Sequence, residues 1–250
     1  MGLIGFSTGA LALQDFKRGL ALVRTHNLKA VELSALREPE LEPLIASLNS
    51  LDLADFNYIS VHAPSSISAG NEAHVVTLLS KAADRGWSII VHPDVIDDPS
   101  LWNRLGSALT IENNDRRKPV GQRCDDLFKW FEKCPSAGFC LDIGHARQVD
   151  RTMTEAYFML KHFGVRLRQL HISEVGAQSR HERLSYLSVQ AIKQIAQFVP
   201  SEVPAIIESV VPEHDIAAEI SAVKAALICE ESVYSCEPAP PRTKVVSVAP

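Results

Sequence analysis

The sequence predicts an α/β protein built as a single (β/α)8 TIM barrel. Eight short β-rich runs alternate with longer amphipathic segments along nearly the whole chain. The runs are near-continuous in Val, Ile and Leu, as strands of a parallel sheet must be when both faces are covered. Metal-type side chains stand at the downstream ends of the runs, which is the rim where such barrels carry their active sites. A length of 250 residues fits this architecture. A doubly wound open sheet is the competing fold, but no G-x-G-x-x-G follows the first strand.

Taken in order, Leu3–Ser7 is the first strand, ending in Ser-Thr-Gly, with a helix over Leu13–His26. Ala30–Leu33 is the second, followed by a helix from Pro39 to Ser50. Tyr58–His62 is the third, with its helix over Asn71–Arg85. Ser88–His92 is the fourth, and its short helix opens near Pro99, a residue suited to a first helical turn. Leu109–Glu112 precedes a helix over Gly121–Lys133, and Phe139–Asp142 precedes one over Thr152–Phe163. Leu167–His171 leads through a longer loop to Ser185–Phe198. Ala205–Ser209 is closed by Glu213–Leu227. Residues 1–229 thus read as the barrel. Residues 230–250, with Pro238, Pro240, Pro241 and Pro250 and no apolar period, read as a disordered tail.

A net charge of −5 with dispersed basic residues shows no electrostatic footprint for nucleic acid. The five cysteines form no C-x-x-C pair, and their odd number in so long a chain points to a reducing, cytoplasmic setting. No stretch has membrane-spanning length, and no signal-peptide layout opens the chain. Met1-Gly2 fails the myristoylation pattern because position 6 is Phe. No strand ends in Lys for Schiff-base chemistry. There is no G-x-S-x-G elbow, and the Gly-rich phosphate loop of many barrels is missing.

The rim residues are His62, His92, Glu112, Asp142, His145, His171 and Glu208, with His181 in the loop after His171. Glu112, Asp142, His171 and Glu208 make a mixed oxygen and nitrogen shell. Such a shell suits zinc or manganese foremost, with magnesium and cobalt as alternatives. Taken singly, each is as readily a solvated or hydrogen-bonded rim residue. In Asp142-Ile-Gly-His145 the glycine permits a tight turn returning His145 to the rim; alternatively Asp142 caps the next segment. Asn113 and Asn114 orient the Glu112 carboxylate, bind substrate, or form an ordinary turn. Glu32 reaches the rim or faces solvent. Arg116, Arg117, Lys118 and Arg180 lie in rim loops and are candidates for binding phosphate or sugar hydroxyls; the first three also read as a solvated charge run. His26, His74, His162 and His214 fall on helices, where packing or surface roles suffice.

The ordered set His62-Ala-Pro, His92-Pro, Glu112-Asn, Asp142-x-x-His145, His171 and Glu208 resembles the xylose-isomerase-like barrel superfamily over residues 1–228. That superfamily holds sugar isomerases and epimerases together with AP endonuclease family 2, the endonuclease IV-like enzymes. The endonuclease resemblance implies three zinc ions. His62 and His92 would hold one, Glu112 would bridge to a second completed by Asp142, His171 and Glu208, and His145 and His181 would hold the third. An Asp two residues before the loop histidine belongs to that pattern, but Ser179 stands there, leaving the third ion two ligands. The isomerase resemblance implies one divalent ion on Glu112, Asp142, His171 and Glu208, with the two glutamates flanking the substrate and His145 binding it; His62, His92, Arg180 and His181 are further candidates for substrate contact. Glu174 takes the place of the family's Asp in His171-Ile-Ser-Glu174.

Two enzymatic readings follow from the resemblance. The first is a sugar or sugar-phosphate isomerase or epimerase, with Glu112 and Glu208 moving a proton next to a carbonyl and a small carbohydrate as partner. The second is a zinc phosphodiesterase acting on nucleic acid. A third is a non-catalytic metal-binding barrel.

Overall fold

Side chains of a strand alternate between its two faces, so the run Ala30-Val-Glu-Leu-Ser34 cannot bury all of its residues in one environment. In the computed structural model, which describes residues 2–228, Val31 and Leu33 pack outward under the helices while Glu32 and Ser34 face the bore. The same division holds around the ring. The strands are β1 (Ile4–Ser7), β2 (Ala30–Ser34), β3 (Tyr58–His62), β4 (Ser88–Val91), β5 (Leu109–Glu112), β6 (Gly138–Asp142) and β7 (Leu167–Ile172). A short antiparallel pair, β8 (Glu174–Val175) with β9 (His181–Glu182), then precedes β10 (Ala205–Ile207). Strands β1 to β7 and β10 close an eight-stranded parallel barrel in the order β1-β10-β7-β6-β5-β4-β3-β2.

The fold class read from the sequence is therefore the one observed, and seven of the eight strands contain the residues expected at their centres. The first strand begins one residue later than expected, at Ile4, although Leu3 O still accepts from Ala205 N at 2.8 Å. Glu208 lies one residue beyond β10, but its amide donates to Ile172 O at 3.0 Å, so its position remains tied to the sheet. Register aligns Ser34 with His62, Glu112 with Cys140, and Asp142 with His171. The donor-bearing residues thus reach one level of the bore.

Outward-facing Val31, Leu33, Val61, Ile111, Phe139, Leu141 and Leu170 are buried beneath the helical layer. Each such side chain contributes about 1.5–3 kcal/mol relative to exposure. The hydrophobic core is this layer between sheet and helices, while the bore carries Glu32, Ser60, Thr110 and Gln169.

One local expectation is corrected. The helix after β1 is split into Thr8–Ala12 and Phe16–Thr25 by Leu13, whose φ of 51° breaks the helical path. Of the two readings of Asp142-Ile-Gly-His145, the cap is the one observed: Asp142 is the N-cap of the helix Ile143–Val149, accepting from His145 N at 2.7 Å. Gly144 is required there by close packing, since a Cβ would lie 2.7 Å from Ser173 O. The expected tail, residues 230–250, lies outside the described residues, as does Cys229. Cys124, Cys134 and Cys140 are buried free thiols. Among the described residues, no helix is long and apolar enough to cross a membrane.

Gly144→Ala is expected to destabilise the fold by about 1–3 kcal/mol, the usual cost of overpacking. Urea unfolding of the metal-free protein measures it, and an unchanged midpoint would mean that this approach is not a tight one.

Candidate metal centre

Glu112 ends β5 with its carboxylate wholly buried, and four imidazoles surround it. His62 Nε2 lies 3.2 Å from Oε2 and His92 Nε2 3.4 Å from the same oxygen. His171 Nδ1 is 3.0 Å and His145 Nδ1 3.6 Å from Oε1. Glu208 Oε2 closes the far side, 3.4 Å from His171 Nδ1 and 3.6 Å from His181 Nδ1. Asp142 Oδ2 lies 3.3 Å from His145 Nδ1, so five histidines and three carboxylates from distant parts of the chain converge.

The rings are oriented by partners on their other nitrogens. His62 Nδ1 donates to Ala63 O at 2.7 Å, leaving Nε2 toward Glu112. His92 Nδ1 donates to Asn114 Oδ1. The Asn114 amide in turn donates to Asp94 Oδ1 and Val120 O. His145 Nδ1 donates to Asn113 O at 3.0 Å, and the Asn113 side chain clamps the Asp142 backbone through its N–H and C=O. The two asparagines therefore serve the histidines and Asp142 rather than the Glu112 carboxylate. Glu32 neither reaches the rim nor faces solvent: it is buried in the bore and accepts from His171 Nε2 at 3.0 Å. Carboxylate and carbonyl partners of this kind fix the tautomer of metal-binding histidines.

A divalent ion fits these residues. Glu112 Oε1, Asp142 Oδ2 and His171 Nδ1 are buried without a hydrogen-bond partner. A buried polar atom left unpaired costs about 1–3 kcal/mol, and these three belong to one group with Glu208 whose donor atoms lie within 4.8 Å of one another. Ligands at 2.0–2.1 Å from a tetrahedral zinc are about 3.4 Å apart, close to the separations observed. Asp142 divides its work, one oxygen capping the helix and the other facing the centre.

Among the other groups of metal-type donors are His62 with His92 and Glu112, and Asp142 with His145 and His181. The last places the Asp142 carboxylate beside the two histidines for which the sequence pattern left no aspartate. Ser179 lines the cavity with its hydroxyl already engaged. Its φ is 52°, its hydroxyl donates to Asp115 Oδ1 at 2.6 Å, and the Gln148 amide donates to its oxygen at 2.9 Å. Glu174 is turned away, accepting from Ser185 N and Ser188 Oγ at the start of the helix Tyr186–Ala196. Arg180 is exposed and does not line the cavity, whereas Arg117 and Lys118 do. Asp115, Gln148 and Gln169 are unremarked in the sequence, since nothing local distinguishes them from loop or strand polar residues.

Burial opposes charge on Glu112, but His171 and His92 beside it and the His62 hydrogen bond outweigh that and hold the carboxyl well below its usual range. Burial opposes charge on His62 too, yet its Glu112 hydrogen bond and the Glu32 carboxylate raise it to about 9. His171 is raised well above its ordinary value by its acidic neighbours against the same burial. Burial pulls His92 down to about 4, against the attraction of Glu112. Burial, then His145, pulls His181 down to about 3. Glu208 is raised well above the usual carboxylate range, first by burial and then by Glu112 and Asp142, which together overcome His171.

Above this floor is a cavity of about 250 Å³, with Leu13, Leu36 and Val210 on one side and Arg117 and Lys118 on the other. A larger cavity of about 500 Å³ borders it through Ser65 and Lys118, but it contains none of the clustered histidines and Glu112, so the chemistry belongs to the smaller one.

No protein-family model matches the sequence. No curated protein is significantly similar to it. Solved structures are similar in fold. Endonuclease IV from Thermus thermophilus is 19% identical, with 90% of this chain and 98% of that one covered at a TM-score of 0.57. The 3-keto-D-glucoside 4-epimerase of E. coli is 11% identical, with 90% and 99% covered at 0.57. A xylose isomerase-like TIM barrel protein from Mycobacterium smegmatis, in complex with magnesium, is 14% identical, with 91% and 98% covered at 0.57.

Because His171 favours its protonated form, it must lose a proton to become a ligand, and zinc uptake near pH 7 is expected to release protons. Affinity should accordingly rise between about pH 6 and 8. Calorimetric titration in buffers of different ionisation enthalpy measures the release, and uptake without it would remove His171 from the ligand set.

Proposed function

We propose that this chain, whose fold is similar to that of solved xylose isomerase-like TIM barrels, is a divalent-metal-dependent enzyme that moves a proton next to the carbonyl of a small sugar or sugar phosphate, as an isomerase or epimerase does. The observation that carries this reading is the pair of buried carboxyls Glu112 and Glu208, flanking His171 Nδ1 at 3.0 and 3.4 Å in one group of metal-type donors. Two carboxyls so placed can serve as base and acid on either side of a small substrate.

Glu112, Asp142, His171 and Glu208 would hold the ion, zinc or manganese by donor type, with magnesium and cobalt as alternatives. When bound, the ion supplies polarisation of the substrate's carbonyl and hydroxyl oxygens. Glu112 would accept the proton from the carbon beside the carbonyl, and Glu208, on the other side of the cavity floor, would return one. Arg117 and Lys118 offer positive charge to a phosphate or hydroxyl group at the wall. His145 and His181 offer hydrogen bonds to substrate oxygens. A cavity of about 250 Å³ suits a substrate of this size.

A second reading, a zinc phosphodiesterase acting on nucleic acid, draws on the His62–His92–Glu112 and Asp142–His145–His181 groups, which a single ion does not need. Against it, the cavity lining has no Phe, Tyr or Trp on which a displaced base could stack. The complete donor set argues against a purely non-catalytic barrel.

Elemental analysis of protein purified without chelator separates the readings. One ion per chain is expected, and two or three would favour the phosphodiesterase. Glu208→Gln is expected to leave the fold intact while turnover of an isomerisable sugar falls on the order of 10²–10⁴-fold. Full activity in that variant would remove Glu208 from the chemistry.

A further inference from the structure

The least accounted-for charge in the molecule is Glu32, a carboxylate with no exposed surface, lying in the bore beneath the metal-type donors. It belongs to none of the metal-type groups among the described residues. Removing an ionised carboxylate from water costs several kcal/mol unless its partners are well placed. Here three donors converge on one oxygen, Oε2: His171 Nε2 at 3.0 Å, Gln169 Nε2 at 2.7 Å and Ser60 Oγ at 3.1 Å. The other oxygen, Oε1, has no hydrogen-bond partner. Glu32 reaches His171 across the bore, since β1 and β10 separate their strands in the sheet.

We propose that Glu32 is a positioning residue for the metal centre, holding the His171 ring so that Nδ1 rather than Nε2 is offered to the ion. This rests on the reading of His171 as a ligand. A neutral imidazole carries one proton, and the nitrogen without it is the one that can bind a metal. Glu32 accepts at Nε2 and so keeps the proton there. The lone pair then lies on Nδ1, beside Glu112 Oε1 and Glu208 Oε2. The Gln169 amide nitrogen approaches the same Nε2 at 2.5 Å. Without Glu32, that amide would donate to Nε2 and move the ring proton to Nδ1, the nitrogen needed by the ion. The carboxylate therefore decides a competition between two tautomers.

The test compares the parent with Glu32→Gln and Glu32→Met, measuring zinc affinity against a chromophoric chelator and thermal unfolding of the metal-free proteins. Glu32→Met is expected to lose about 10–100-fold in zinc affinity, the usual effect of removing such a partner. Its metal-free form should also unfold earlier than the parent, because His171, Gln169 and Ser60 lose their shared acceptor. Glu32→Gln, isosteric and still able to accept, should fall between the two in affinity. The visible spectrum of the cobalt-loaded Glu32→Gln protein should differ from the parent's. Unchanged affinity in both variants would overturn the inference while leaving the metal centre standing. Earlier unfolding of metal-free Glu32→Met with parental affinity would likewise overturn it, making the residue structural only. Should Glu32→Met not fold, parental affinity and cobalt spectrum in Glu32→Gln would have the same effect. A parent that takes up no zinc or cobalt would overturn the metal centre itself, and this inference with it.

Discussion

A single buried carboxylate, that of Glu112, sets the terms for the rest of this molecule. It is withdrawn from water at the end of β5, where an unpaired negative charge would be prohibitively costly. Four imidazoles within 3.0–3.6 Å answer it, from the ends of β3, β4 and β7 and from the helix after β6. Those rings must arrive at one height with their faces fixed. The barrel's register delivers the height, and the backbone of Ala63 and Asn113 and the side chains of Asn114 and Glu32 fix the faces. The surrounding polar network is thus an orderly answer to one electrostatic demand.

The same demand explains why the bore is polar. Most of the apolar stabilisation is gathered between sheet and helices, which frees the inward positions for charged and hydrogen-bonding groups. Several of these remain unpaired inside the protein alone. A ligand that satisfies them binds only the folded chain, so its binding free energy adds to stability.

The strands were legible because apolar runs of four or five residues, six of them ending in a donor residue, repeat with the spacing of a β/α unit. The rim donors were legible for the same reason, since the end of a run is a position in space as well as in sequence. What was not legible depended on neighbours distant in sequence. Asp142-Ile-Gly-His145 reads as a turn or as a cap, and the structure shows the cap, with Gly144 packed closely against Ser173. Glu32 meets His171 across 139 positions, and Ser179 meets Asp115 across 64. No local period records either pairing. The loss of an aspartate at Ser179 pointed to a depleted third position, yet Asp142 stands beside His145 and His181 in space.

The two-faced strands also determine which kinds of genetic change this protein can absorb. On the outward face, exchange among Val, Ile and Leu alters volume by a methyl group and is repaired by repacking, usually for under about 1.5 kcal/mol. On the inward face each position has its own chemistry. A deletion of one residue within β2 would move Leu33 into the bore and Glu32 among the helices, since a slip of one reverses every side chain of a strand. Drift in composition is therefore mild over most of the barrel wall, whereas a change in the length of a strand is ruinous anywhere along it.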